Sequence, residues 1–152
     1  MKNSNLKIQL HQKCAEIIEQ RITELKSIIQ ESQDAANNET KSSAGDKHET
    51  GRAMAQLETE KLSSQLSEAL KTQKTLQKIN PNIIHQNAAL GSLAVTNNGI
   101  FYLSVGLGQV EMKYFTCFAI SPASPVGKVL MWLKEKDKFS FNGRNYIIER
   151  IL

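Results

Sequence analysis

The chain has 152 residues, 40% of them hydrophobic and only 6% aromatic, with 19 basic against 15 acidic side chains and a net charge of +4. So small a surplus suits an anionic partner but excludes an independent nucleic-acid binder, and it lies mostly past Asn80, where 7 basic residues face 4 acidic ones. Cys14 and Cys117 lack ligand spacing, which excludes a disulfide framework and a structural zinc site, and no run reaches the ~18 apolar residues of a membrane span; a soluble, cytoplasmic protein with no membrane partner is expected.

From Leu6 to Glu31, apolar residues recur at three- and four-residue steps through Ile8, Ala15, Ile18, Ile22, Leu25 and Ile29, with His11 in one slot of the stripe. That period predicts an amphipathic helix with one partner. The partner is expected from about Glu49 to Ile79, where Met54, Leu57, Leu62, Leu66, Ala69, Leu70 and Leu76 form a looser seam. Between them, Ser32 to Ala44 is rich in Asn, Ser, Thr and Asp, which favour caps and turns. The expected unit over 1–80 is therefore an antiparallel coiled-coil hairpin whose turn is Gly45-Asp46-Lys47-His48-Glu49.

Asn80-Pro81-Asn82 breaks the pattern, because proline disfavours a helical residue before it, and a second domain is expected over 81–152. Strands are predicted at Leu93–Thr96, Ile100–Val105 and Tyr114–Ile120, and at Phe139–Phe141 and Tyr146–Ile148 around the Asn142-Gly143 hairpin signal. Ser124 as N-cap and Pro125 at the first position predict a short helix through Leu133. The fold class is α+β, with a small antiparallel sheet and one helix on it.

Asp46 and Glu49 stand three apart, which at a helix start puts two carboxylates on one side, able to share a hard divalent cation with ligands from a partner. The same spacing is a capping pattern, and a cap at an exposed turn still presents acid. Elsewhere, His11 and Cys14 read as a seam pair, His48 as a turn histidine and His85 as a linker residue. Val105-Gly106-Leu107-Gly108 lacks the third glycine of a dinucleotide motif, and no nucleophile constellation is present, so autonomous catalysis is not expected.

The run Ile120-Ser121-Pro122-Ala123-Ser124-Pro125-Val126-Gly127-Lys128-Val129-Leu130, followed by Asp137 and the closing Tyr146 to Ile151, resembles the C-terminal domain of the bacterial Gre transcript-cleavage factors. The turn Gly45-Asp46-Lys47-His48-Glu49 resembles the same family's acidic tip. The resemblance implies a coiled-coil hairpin joined to an FKBP-like domain that docks on RNA polymerase at its secondary channel. Asp46 and Glu49 are then the catalytic acids and metal ligands, shared with the polymerase Mg²⁺ site; Ser124 and Pro125 are polymerase-binding residues. No tightly bound cofactor is implied, nascent RNA is met only indirectly at its 3′ end, and a monomer is expected. Thr50-Gly51-Arg52-Ala53 departs from the family's Asn-Ala-Glu-Tyr after the tip, and Ala123 stands where the family often has an acid. Alternatives are a secondary-channel regulator without cleavage, an FKBP-like prolyl isomerase or chaperone module, and a coiled-coil adaptor.

Overall fold

The computed structural model describes the backbone of residues 2–42 and 46–152, and the side chains of 5–35, 37–38 and 50–152. Its elements are α1 (Lys2–Ser42), α2 (Asp46–Gln77), β1 (Leu93–Thr96), β2 (Gly99–Leu103), β3 (Gly108–Glu111), β4 (Thr116–Ile120), α3 (Pro125–Leu130), β5 (Lys138–Phe141) and β6 (Arg144–Ile151). The class is α+β. Packing divides the chain into two compact units, one of Ile17–Gln73 and one of Met1–Glu16 with Lys74–Leu152. None of the described helices is long and apolar enough to cross a membrane.

In the helical unit, Ile18, Ile22 and Leu25 of α1 are buried, as are Leu62 and Ala69 of α2. Leu25 and Ala69 line one groove, Ser32 meets Thr59 at 3.0 Å, and Asn37 and Arg52 line another, so the two helices run antiparallel. The polar stretch after Ser32, expected to favour turns, is helical as far as Ser42, and 43–45 lie outside the described residues. No Gly or Pro breaks it, Gln30 donates to Asp34 one turn on at 3.1 Å, and the Ser32 hydroxyl finds its partner on α2 instead of its own backbone. The seam of α2 is Ala55, Thr59, Leu62, Leu66, Ala69 and Gln73, at alternating four- and three-residue steps. Met54, Leu57 and Leu70, expected within it, are exposed because each falls one or two positions off that stripe.

The other unit holds one six-stranded sheet in the order β3-β4-β2-β1-β6-β5. It is mixed, not antiparallel as expected, because β2 pairs with β4 in parallel through Phe101↔Phe118 and Tyr102↔Ala119. The cause is β3, an edge strand missing from the sequence reading, which carries the chain outward so that β4 returns alongside β2. The hairpin between β5 and β6 forms at Asn142 and Gly143, whose φ values of 51° and 77° are those of a tight turn of the primed type.

Cross-strand partners share a face, so the rows Leu93-Tyr102-Ala119 and Val95-Ile100-Cys117-Val110 line one side of the sheet. Leu10 and Cys14 of α1, with Leu76 and Ile79, supply buried side chains of this same unit. The opposite side carries a core of Ala94, Phe101, Leu103, Leu130, Phe139, Tyr146, Ile148 and Ile151.

Two part-buried polar contacts lie at the first side. His11 Nδ1 lies 2.7 Å from the Tyr102 hydroxyl, and Lys7, a residue only 2% exposed, donates through its ammonium to the Ile83 carbonyl at 2.6 Å. Burial lowers the Lys7 pKa to about 8, and burial followed by the nearby Lys7 charge lowers both His11 and His85. An imidazole held below its ordinary value of 6.5 stays neutral in the fold while the unfolded chain takes up protons, so its stabilising effect is present above that pH and lost as pH falls through it. Thermal unfolding followed at pH 7.5, 6.5 and 5.5 should show a midpoint that declines with acid, and the decline should be shallower in His11→Gln. Parallel curves for the two proteins would remove His11 from this account.

Candidate functional site

The two candidate regions named by the sequence are the acid pair and the Ser124–Pro125 corner. Asp46 opens α2, and Glu49 falls one turn on. The side chains of both, and of Lys47 and His48, lie outside the described residues. Among the described residues, no cluster of three or more His, Cys, Asp or Glu side chains could hold a metal ion.

The corner is described fully, and its hydrogen bonds explain why the chain folds this way locally. Ser124 has the extended backbone of a cap, with φ −68° and ψ 160°, and its hydroxyl accepts from the Gly127 amide at 3.1 Å. The same hydroxyl donates to the Ser121 carbonyl at 2.6 Å, and the Ser124 amide donates to that carbonyl at 3.0 Å. Ser121 in turn accepts from the Ala123 amide at 3.1 Å through its own hydroxyl. Pro125, exposed, occupies the first helical turn, where its missing N–H removes nothing the helix would use. Gly127 is required by closeness: a Cβ there would overlap the Ser121 carbonyl oxygen and lie 2.9 Å from the Ser124 hydroxyl.

Beside this corner is a cup of about 320 Å³ that the sequence reading did not find. Its walls are Phe101, Phe118, Ile120, Val126, Phe141 and Tyr146, with Asn98, Asn142 and Arg144 at the rim. Phe101 stacks on Phe118 at 5.9 Å between ring centroids and meets Tyr146 edge-on at 5.9 Å; Tyr146 stacks on Phe139 at 4.7 Å. Phe118 stands 38% exposed, because the parallel β2–β4 register sets it beside Phe101 on an incompletely covered face. The signal was present only in the pairing, which no single segment carries. Chemically the cup suits an apolar or aromatic group of a peptide, with amide and guanidinium donors at its edge.

The other reactive groups are held inert. Burial raises the Cys14 thiol to about 11 and, with Cys14 close by, the Cys117 thiol to about 12, so neither is a thiolate near neutrality. The Tyr102 phenol is raised too, by burial and then by the two cysteines. His85, read as an idle linker residue, lies near enough to Lys7 to be affected by its charge. Compared with protein-family models, curated proteins and solved structures, the chain matches none of them.

The hydrogen bonds at the corner set the scale of two substitutions. Ser124→Ala should cost about 1 kcal/mol in urea unfolding, the usual loss for a helix cap. Gly127→Ala should cost more, about 2 kcal/mol, because the added methyl must displace backbone. A Gly127→Ala protein as stable as the parent would show that α3 is not seated on the Ser121 carbonyl.

Proposed function

We propose that the protein is a Gre-type factor that binds bacterial RNA polymerase at its secondary channel and promotes cleavage of backtracked RNA by the polymerase. The observation that carries this reading is the position of the acid pair. Asp46 and Glu49 occupy the opening turn of α2, the second helix of an antiparallel pair. The Ser121–Leu130 segment, with its capped proline corner, supports the same reading as the part that meets the polymerase. The FKBP-like identity of the sheet-bearing unit belongs to this proposal.

Two carboxylates are oxygen donors of the kind magnesium prefers, and too few to retain it unaided, which fits a site shared with a host enzyme. Asp46 and Glu49 would hold such an ion together with ligands of the host enzyme, and the magnesium would supply Lewis acidity for hydrolysis of the phosphodiester. The protein itself is then not an enzyme, acts in the cytoplasm and works as a monomer. Lys41, Lys47 and Arg52, near the acids in sequence, reduce the repulsion between tip and RNA phosphates.

The aromatic cup favours a second reading, a peptide-binding module of the prolyl-isomerase type, since such an activity needs an aromatic-lined pocket of this kind. The two readings separate in one experiment. A purified polymerase halted in a backtracked complex is given the wild-type protein or the Asp46→Ala, Glu49→Ala double variant, and RNA shortening is followed. The first reading expects cleavage that slows on the order of 100-fold in the double variant while polymerase binding persists. Binding with no cleavage by either protein leaves a channel regulator. Absence of binding, with acceleration of prolyl isomerisation in a test peptide, selects the second reading.

A further inference from the structure

The last turn of α3 runs into a strained, exposed tryptophan. Met131 is the C-cap, with its amide donating to the Gly127 carbonyl, and Trp132 follows in a left-handed conformation at φ 73°. This position after a helix is usually glycine, because a side chain there crowds its own backbone, and a bulky ring is poorly suited to it. The conformation is enforced from both sides. The Trp132 amide donates to the Ala88 carbonyl at 2.8 Å, and the Leu133 carbonyl accepts from the Ala88 amide at 2.7 Å. Burial does not offset the strain, since Trp132 is 70% exposed.

Four residues on, Lys136 repeats the pattern, left-handed at φ 75°, with its amide fixed to the Ile148 carbonyl at 2.8 Å and its side chain exposed. Among the described residues the third non-glycine of this kind, Asn142, sits in a hairpin turn that tolerates asparagine. Residues 131–137 thus hold two side chains outward against backbone preference, one a large apolar ring and one a cation. Exposed Lys128, Lys134 and Lys138 surround them in sequence and outnumber the exposed acid Glu135, while the Asp137 carboxylate accepts from the Lys134 amide at 2.9 Å within the loop itself.

We infer that Trp132 is a binding anchor, entering an apolar socket on a protein partner whose rim is acidic and meets Lys136. Strained residues persist where function requires them, and tryptophan is among the side chains most often found at the energetic centre of an interface. The inference rests on the polymerase-docking reading: the loop continues from the Ser124–Pro125 corner through the six residues of α3, so the partner is the polymerase surface that receives that corner.

The test uses the full chain and the polymerase core enzyme. Trp132→Gly should melt at the same temperature or higher, because glycine accepts the left-handed backbone, and should bind polymerase about 30-fold more weakly. Trp132→Asn, which also tolerates that backbone, should lose affinity likewise, and Lys136→Glu should weaken binding most at low salt. As Trp132 is the chain's single tryptophan, its emission should shift to the blue on adding polymerase. If wild type binds and both Trp132 variants bind equally well, the anchor is refuted while docking stands. If wild type does not bind, the docking reading fails first and the anchor with it. A lower melting temperature in both variants makes the ring a structural element and overturns the inference. So does a blue shift with phosphatidylserine vesicles and none with polymerase, which would make the occupant a membrane surface.

Discussion

The parallel pairing of β2 with β4 decides what both faces of the sheet carry. With Tyr102 opposite Ala119 and Phe101 opposite Phe118, alternate residues of one strand commit to opposite environments. Tyr102, fully buried, brings a hydroxyl that needs a partner, and His11 of α1 supplies it at 2.7 Å. Phe101, one residue earlier, lines the aromatic cup, to which α3 contributes Val126. A one-residue slip would exchange these roles, leaving the phenol in the cup and a phenylalanine against His11. The acid sensitivity of the unit and the shape of its cup therefore descend from one register.

Much of this was legible in the sequence, and the parts that were not share a physical reason. β1, the Asn142-Gly143 hairpin and the Ser124-Pro125 helix start announce themselves through local chemistry, because turn and cap residues act on their immediate neighbours. β3 does not: Gly108-Gln109-Val110-Glu111 buries only Val110, and an edge strand on a half-covered face requires no more. Without β3, β4 reads as an antiparallel neighbour of β2 and the cup disappears. Lys7 was missed similarly, since a cation within an apolar stripe reads as an interruption, whereas here its stem packs and its ammonium reaches one carbonyl. The acid pair was legible only as a motif. Spacing says that Asp46 and Glu49 can act together at a helix start, and the described backbone adds that α2 begins there.

The segment from Ser121 to Leu133 joins the candidate site to a left-handed residue, Trp132, through the short helix α3. A helix of six residues is far below the length at which a helix persists alone in water, so α3 depends on a local cap at one end, long-range hydrogen bonds at the other and the burial of Gly127 and Leu130 between them. At one end the Ser124 hydroxyl accepts from the Gly127 amide and is itself held on the Ser121 carbonyl; at the other, Ala88 brackets Trp132 and Leu133. A left-handed non-glycine residue costs about 1–2 kcal/mol, and it is tolerated only where its surroundings leave no alternative. Gly127 donates to the Ser124 hydroxyl and its carbonyl accepts from the Met131 amide, so one residue links the cap to the residue before Trp132. Loosening the cap should relax the tryptophan loop as well, so that rigidity at one end of α3 and outward presentation at the other are a single property of this segment.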